Sequence, residues 1–317
     1  MINLKIKFIL LFQATLLLNY ASAKQNFITK NYILKDRLDS VEYHLPNGYS
    51  LIQKKDYGEY RKENMSIFKD NKEIYKDDNY HILIGLKGKS LWQWEKNTTV
   101  KKKDIIFDIN SDGVPKFLYQ SQSEGNHGSV KTVLFSLKKD KLEILATLNL
   151  TQETITFKDI NGDKIPEITF HDDAFFCFGS FSCAGSPWIE VILELKDGHY
   201  QYAESLMKKK KLEGTIEAKS ANSWISYLVK TIYQGKYKRG MIEVHKSLKG
   251  GENIFKKRDG TMVNWEKYIT EIRIPEIVEV FSNSPYWKNI KNINGWNGLS
   301  LKEITRLLLS LTKTQKR

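Results

Sequence analysis

FDINSDGVPKF, residues Phe107–Phe117, is echoed by FKDINGDKIPEITF, residues Phe157–Phe170, whose Asp-Ile-Asn stands fifty-one positions after that of the first. Each stretch places Asp, Asn and Asp at alternate positions, then a hydrophobic residue, Pro and a run of strand formers. On an extended, turning loop, alternate side chains converge on one centre, which is how a chain wraps oxygen ligands around calcium. The first copy offers Asp108, Asn110 and Asp112, with the Val114 carbonyl and with Gly113 to permit the sharp turn. The second offers Asp159, Asn161, Asp163, the Ile165 carbonyl and Glu167 as a further carboxylate. Such a set suits Ca2+ better than Mg2+, which demands near-octahedral geometry. The competing reading is a pair of Asx-type turns in which Asp and Asn cap local backbone donors. EF-hands are excluded, because Tyr119 and Phe170 stand at the twelfth position, where a bidentate Glu is required. The residues after each loop, KFLYQ and EITF, favour strand over helix.

Outward from these loops, about residues 27–207 read as short strands and turns. YHILIGL, SLWQWEK, KTVLFSL, KLEILATLNL and WIEVILEL are rich in branched and aromatic residues and bounded by turn formers. FSLKKDKLEIL and LELKDGHYQYA read as hairpins, the second turning at Asp197-Gly198. The fold class expected is mainly β, an antiparallel β-repeat of propeller-like or meander type, with a helical C-terminal region. The charge run Lys208–Lys211 marks the change, so 24–210 is expected as the β-repeat domain and 211–317 as the α-helical region. There, Trp224, Tyr227, Leu228 and Ile232 recur at helical spacing up to Gly235, and Tyr237, Met241, Val244 and Leu248 repeat the pattern. KGGENIFKKRDGT reads as a loop. Trp265, Tyr268, Ile269 and Ile272 begin a helix that Pro275 should interrupt or kink, and Ile304, Leu307, Leu308 and Leu311 form a terminal one. These stripes are assigned to core packing, and a partner-binding role for Trp224–Leu248 is the alternative.

The first residues have the layout of a secretory signal peptide: Lys5 and Lys7, an apolar run from Phe8 to Leu18, and Ala21-Ser22-Ala23 at a cleavage position. Residues 1–23 are therefore expected to be removed and the protein exported, periplasmic or secreted, with no transmembrane helix in the mature chain. An uncleaved N-terminal anchor is the alternative. Without Lys5 and Lys7 the formal charge falls from +13 to +11. That surplus favours an anionic envelope polymer as partner, beside an unidentified protein, and export argues against nucleic acid. Two cysteines, Cys177 and Cys183, lie in FFCFGSFSC. In an oxidising compartment they are expected to close a small structural disulfide loop, with two free buried thiols as the alternative.

The pattern Asp-hydrophobic-Asn-x-Asp-x-hydrophobic-Pro-acidic followed by a strand resembles the calcium loops of FG-GAP or VCBS-type repeats, found in integrin-alpha-like propellers and in exported bacterial proteins. The resemblance is best over residues 104–207. It implies a β-repeat scaffold with bound calcium and no known activity. Two departures stand out: Lys116 occupies the place of the usual carboxylate in the first copy, and Lys164 replaces the usual Gly in the second. A cation at Lys116 opposes metal binding.

No strong catalytic motif is present: His-Glu-x-x-His and Gly-x-Ser-x-Gly are both absent. The most chemical-looking cluster is His171-Asp172-Asp173, directly after the second loop. It suits a metal or general base, or a polar turn leaving a strand. The expectation is an exported, non-enzymatic calcium-binding β-repeat protein that serves envelope binding or interaction. The alternative is a periplasmic or secreted hydrolase with its site near His171–Asp173.

Overall fold

A computed structural model describes residues 30–33, 38–56, 62–77, 81–83, 92–94, 106–123, 130–150, 155–178, 186–212, 221–249, 254–256 and 261–313. The signal-peptide expectation for residues 1–23 and the Cys183 half of the disulfide expectation lie outside these residues.

The N-terminal part is an antiparallel sheet in the order β1 (Lys30–Ile33), β2 (Leu38–Leu45), β3 (Tyr49–Asp56), β4 (Lys62–Lys69) and β5 (Lys72–Asp77). Asp70 and Asn71, both at positive φ, close the β4–β5 hairpin, a conformation that these two residue types tolerate.

The larger sheet holds the repeated stretches. Its strands are β6 (His81–Leu83), β7 (Trp92–Trp94), β8 (Ile106–Phe107), β9 (Lys116–Ser123), β10 (Val130–Leu137), β11 (Leu142–Leu150), β12 (Ile155–Lys158), β13 (Glu167–Asp172), β14 (Ile189–Lys196) and β15 (His199–Tyr202). They run in the order β15-β14-β13-β11-β10-β9-β6, with β8 on β9 and with β12 joining β13 and, in parallel, β7. Both large sheets are open among the described residues, and no propeller is seen there. The hairpins expected from FSLKKDKLEIL and LELKDGHYQYA form as β10–β11 and β14–β15, the latter turning through Asp197 and Gly198 at positive φ.

The pleat of β9 and β10 divides their side chains between two cores. Phe117, Tyr119, Val133, Phe135 and Leu137 pack with Leu51, Met65 and Ile67 of the N-terminal sheet. Leu118, Val130 and Leu134 point the other way, into the main core. The register pairs Phe117 with Phe135 and Leu118 with Leu134, so the period of two carries each pair to one side. Burying both faces is worth roughly 1.5–3 kcal/mol for each large apolar side chain.

The helical region contains α1 (Glu204–Lys209), α2 (Ala221–Tyr233), α3 (Tyr237–Lys249), α4 (Trp265–Tyr268), α5 (Ile274–Asn283), α6 (Trp287–Asn294) and α7 (Leu301–Lys313). The boundary expected near residue 210 does not separate cores: Phe170, Val191 and Tyr202 share one apolar cluster with Leu228, Ile232, Phe281 and Ile304. Trp224, Tyr227, Leu228, Ile232, Tyr237, Met241 and Val244 are all buried, so this stripe is core and offers no partner surface.

Two local expectations are corrected. KGGENIFKKRDGT contains part of a short hairpin, β16 (Ile254–Lys256) with β17 (Met262–Asn264). Pro275 does not end the helix: Trp265–Tyr268, a π-helical turn and α5 follow one another without a break, and Pro275 stands in the first turn of α5, directly after that π-helical turn. A π-helical segment, Ile269–Arg273, precedes it and shifts the helical register. Ile272 is consequently 41% exposed, while Arg273 turns inward against Glu276 and the Tyr268 ring.

The α2–α3 hairpin depends on glycine twice. Gly235, at φ +68, approaches the Ile293 carbonyl, and a Cβ at Gly240 would stand 1.9 Å from Thr231 Oγ1. Gly240→Ala is expected to destabilise the protein by about 1–3 kcal/mol through overpacking, despite the gain in helix propensity. Urea unfolding of the variant with no loss of midpoint would show that the two helices can part at no cost.

Candidate metal loops and the His171–Asp173 strand end

The two repeated stretches are equivalent hairpins. Phe107 pairs with Lys116 across β8–β9, and Lys158 pairs with Glu167 across β12–β13. In each, the Asp-rich loop joins the strands, and Lys116 or Glu167 opens the second strand. The loops share their internal bonding. Gly113 N–H and Lys164 N–H donate to Asp108 Oδ2 (2.8 Å) and Asp159 Oδ2 (3.0 Å). Val114 N–H and Ile165 N–H donate to Asp112 Oδ1 (2.8 Å) and Asp163 Oδ1 (2.7 Å). Asn110 and Asn161 donate to Asp112 and Asp163 at 2.9 Å. Both also turn left-handed twice, at Ser111 and Gly113 and at Gly162 and Lys164. Glycine thus serves one turn in each copy, at opposite positions, which is how the second loop tolerates Lys164.

The difference lies at one position. The Lys116 side chain is 2% exposed, and its ammonium sits among the loop oxygens. It donates to Asn110 Oδ1 (2.5 Å), Asp108 Oδ1 (3.4 Å) and Asp112 Oδ1. Burial alone would raise the Asp112 carboxyl, but donated bonds from Lys116, Val114 and Asn110 outweigh it and hold it below its ordinary value. The first loop therefore contains its own cation. A second cation among the same oxygens would face Lys116 at short range.

Glu167, also 2% exposed, holds the same place in the second loop. Its Oε2 accepts the Ile160 N–H at 2.6 Å. Burial pushes its carboxyl above the ordinary value, the bond from Ile160 opposes this, and the nearby charges of Asp163 and Asp159 add to the rise. The Tyr200 hydroxyl donates to the Pro166 carbonyl (2.9 Å) and pins the strand entry. Asp159, Asn161, Asp163, the Ile165 carbonyl and Glu167 supply oxygen donors only, as a hard cation requires. Among the described residues, however, no three His, Cys, Asp or Glu side chains gather closely enough to hold a metal ion.

His171, Asp172 and Asp173 are not brought together. Strand alternation sends His171 to one face, against the Trp188 ring (5.6 Å between centroids), and Asp172 into the core at 1% exposure. Asp172 Oδ2 accepts the Tyr233 hydroxyl and, at 3.4 Å, the Ser284 hydroxyl; Oδ1 accepts the Ala174 N–H at 3.3 Å. The Tyr202 hydroxyl donates to the Tyr233 carbonyl. The network ties β13 and β15 to α2 and to the turn before α6. Sequence reading singled out Asp172 but not Tyr233 or Ser284, whose approach depends on tertiary packing. Cys177, at φ +54, donates its N–H to Ser186 Oγ (2.8 Å).

No protein-family model matches the chain, and no curated protein matches it. Among the described residues no helix is long and apolar enough to cross a membrane.

Burial raises the Asp172 carboxyl to about 6 against the opposing bonds from Tyr233 and Ala174. A carboxyl raised on folding adds stability that is complete below its unfolded value near 4 and is lost as pH rises through about 6. Unfolding free energy is therefore expected to contain a contribution on the order of 2–3 kcal/mol that disappears between pH 4 and pH 7. His171, lowered by burial and by Lys210 and Lys230, acts in the opposite sense as pH falls through its unfolded value. Comparison with Asp172→Asn separates the two: the wild-type-minus-variant difference should change across this range, and a flat difference would contradict the assignment.

Proposed function

We propose that the chain is an exported, non-enzymatic calcium-braced β-repeat protein that binds a protein or an anionic envelope polymer. The observation that carries this reading is the exchange of Lys116 for Glu167 at one position of two otherwise equivalent hairpins. Where the first loop holds an ammonium, the second holds a buried carboxylate beside Asp159 and Asp163. Among the described residues no ion pair like that of Lys116 is seen in the second loop, and a divalent cation with a preference for many oxygens would supply a neutralising charge there.

Asp159, Asn161, Asp163, the Ile165 carbonyl and Glu167 would hold the ion. Calcium would neutralise the carboxylates and couple β12 to β13, adding stability by linkage to the folded state. The FG-GAP or VCBS-type repeat, propeller-like closure and export belong to the same proposal. They rest on the loop pattern and on the N-terminal Lys and apolar run. The excess of Lys and Arg over Asp and Glu supports an anionic partner.

Thermal unfolding of residues 24–317 with calcium, magnesium or chelator tests the proposal. Calcium at a hundredfold excess over its Kd should add about 2.7 kcal/mol, magnesium much less, and Asp163→Ala should abolish the response. A melting temperature unchanged by calcium would reduce both loops to Asx-type turns.

The two hairpins also predict a charge exchange. Glu167→Lys should make the second loop indifferent to calcium and keep it stable in chelator. Lys116→Glu should lower stability in chelator and add a second calcium response. Calcium titrations followed by circular dichroism distinguish these variants, and identical behaviour of both would break the proposed equivalence.

A further inference from the structure

Cations gather where the end of α1 meets the turn between α2 and α3. Lys208 and Lys209 stand exposed in the last turn of α1, Lys211 just beyond it, and Arg239 in the first turn of α3. Lys236 brings the two segments together, because its ammonium donates to the Lys210 carbonyl at the end of α1 (2.6 Å) and to Gln234 Oε1 (3.0 Å). Lys230, one turn before Gln234 on α2, lines the same recess as Lys211. Among the described residues, none of Lys208, Lys209, Lys211, Lys230, Lys236 and Arg239 is ion-paired to a carboxylate. Glu190, beside Lys211 and Lys230, is ion-paired to Lys210, and Glu204 on α1 accepts from Asn289 and Asn292. The half-buried Lys236 ammonium has neutral oxygens as its two acceptors, and one of its three N–H bonds remains for another. Burial, and then the charge of Arg239, hold its pKa below the ordinary lysine value, so the two cations lie within each other's field.

We infer that the end of α1 and the α2–α3 turn form the surface on which this chain binds a linear polyanion. Like charges held together repel, and a chain of anionic oxygens relieves that repulsion at several cations at once, releasing its own counterions. The surroundings decide between a hydrated polymer and a membrane. A surface that enters a lipid headgroup layer mixes its cations with aromatic or aliphatic side chains. Here the exposed large apolar side chains, Ile74, Ile144, Ile160, Met262, Ile272 and Leu301, all lie outside residues 204–212 and 230–240. Cations without an apolar anchor suit a polymer that stays in water. This surface locates the anionic-polymer partner proposed above and rests on that reading, but it uses no residue of the calcium loops.

Fluorescence anisotropy of labelled dextran sulfate, with uncharged dextran as the blank, provides the test on the full chain at fixed free calcium and low ionic strength. Two triple variants lose the same formal charge. One carries Lys208→Gln, Lys211→Gln and Arg239→Gln at this surface, and the other Lys72→Gln, Lys139→Gln and Lys302→Gln at exposed positions elsewhere. An unchanged melting temperature confirms that each is folded. The first is expected to bind about tenfold more weakly than wild type, and the second within about twofold of it. The slope of log affinity against log salt should also be shallower by about 2 in the first variant, as three fewer anionic groups are contacted. Equal weakening by both variants assigns binding to net charge and overturns this surface while keeping the polymer as partner. No binding by the wild-type chain overturns the surface and the polymer partner together. Binding to phosphatidylglycerol vesicles without binding to dextran sulfate makes a membrane the occupant and also overturns the inference.

Discussion

The β9–β10 pair buries both of its faces, and the rest of the molecule is arranged around that requirement. Because alternate side chains point opposite ways, Phe117 and Phe135 demand a cover on one side, and Leu118 and Leu134 demand a core on the other. The N-terminal sheet supplies the cover, and the remaining strands with the helices supply the core. Within this framework the Gln120 amide donates to the Thr132 hydroxyl at 2.7 Å, a cross-strand pair on the face of Leu118. Lys116 begins β9 on the same face as Leu118, and its buried ammonium is held by the acceptors of the loop before it.

The paired loops illustrate how one backbone solution accommodates opposite charges. Both loops satisfy their N–H groups with Asp and Asn side chains, so the Asx-type bonding and an oxygen-rich centre coexist in the same residues. Lysine is long enough to reach that centre from the start of the following strand in the first copy. Glutamate at the equivalent place increases the negative charge in the second. The backbone geometry is shared, and the charge of each centre is set by one residue.

The end of β13 separates two chemistries that lie side by side in sequence. Asp172 enters the core, where Tyr233 and Ser284 satisfy it and join sheet to helices. His171 faces a lysine-rich cavity with Trp188 beside it. A cluster read along the chain as one reactive group is thus divided by the pleat, which no amount of inspection of adjacent residues overrides.

Local chemistry was legible without coordinates. Asp197-Gly198 marked a hairpin turn, the apolar spacing of Trp224–Ile232 and Tyr237–Val244 marked two helices, and the alternation of Asp, Asn and Asp marked two loops. These signals depend on neighbours within a few residues, where periodicity and turn preferences act. The tertiary structure decided what those signals could not contain. Only packing placed Tyr233 and Ser284 on Asp172, across 61 and 112 residues of chain, and merged the β and helical regions into one core. Only packing gathered lysines of α2 and of the segment after α1 around His171. The π-helical shift that exposes Ile272 and buries Arg273 likewise arises from the way the helix meets its surroundings. The reason is common to all three: sequence pattern reports which face of an element is apolar, while the partner of that face is chosen by the closing of distant segments in space.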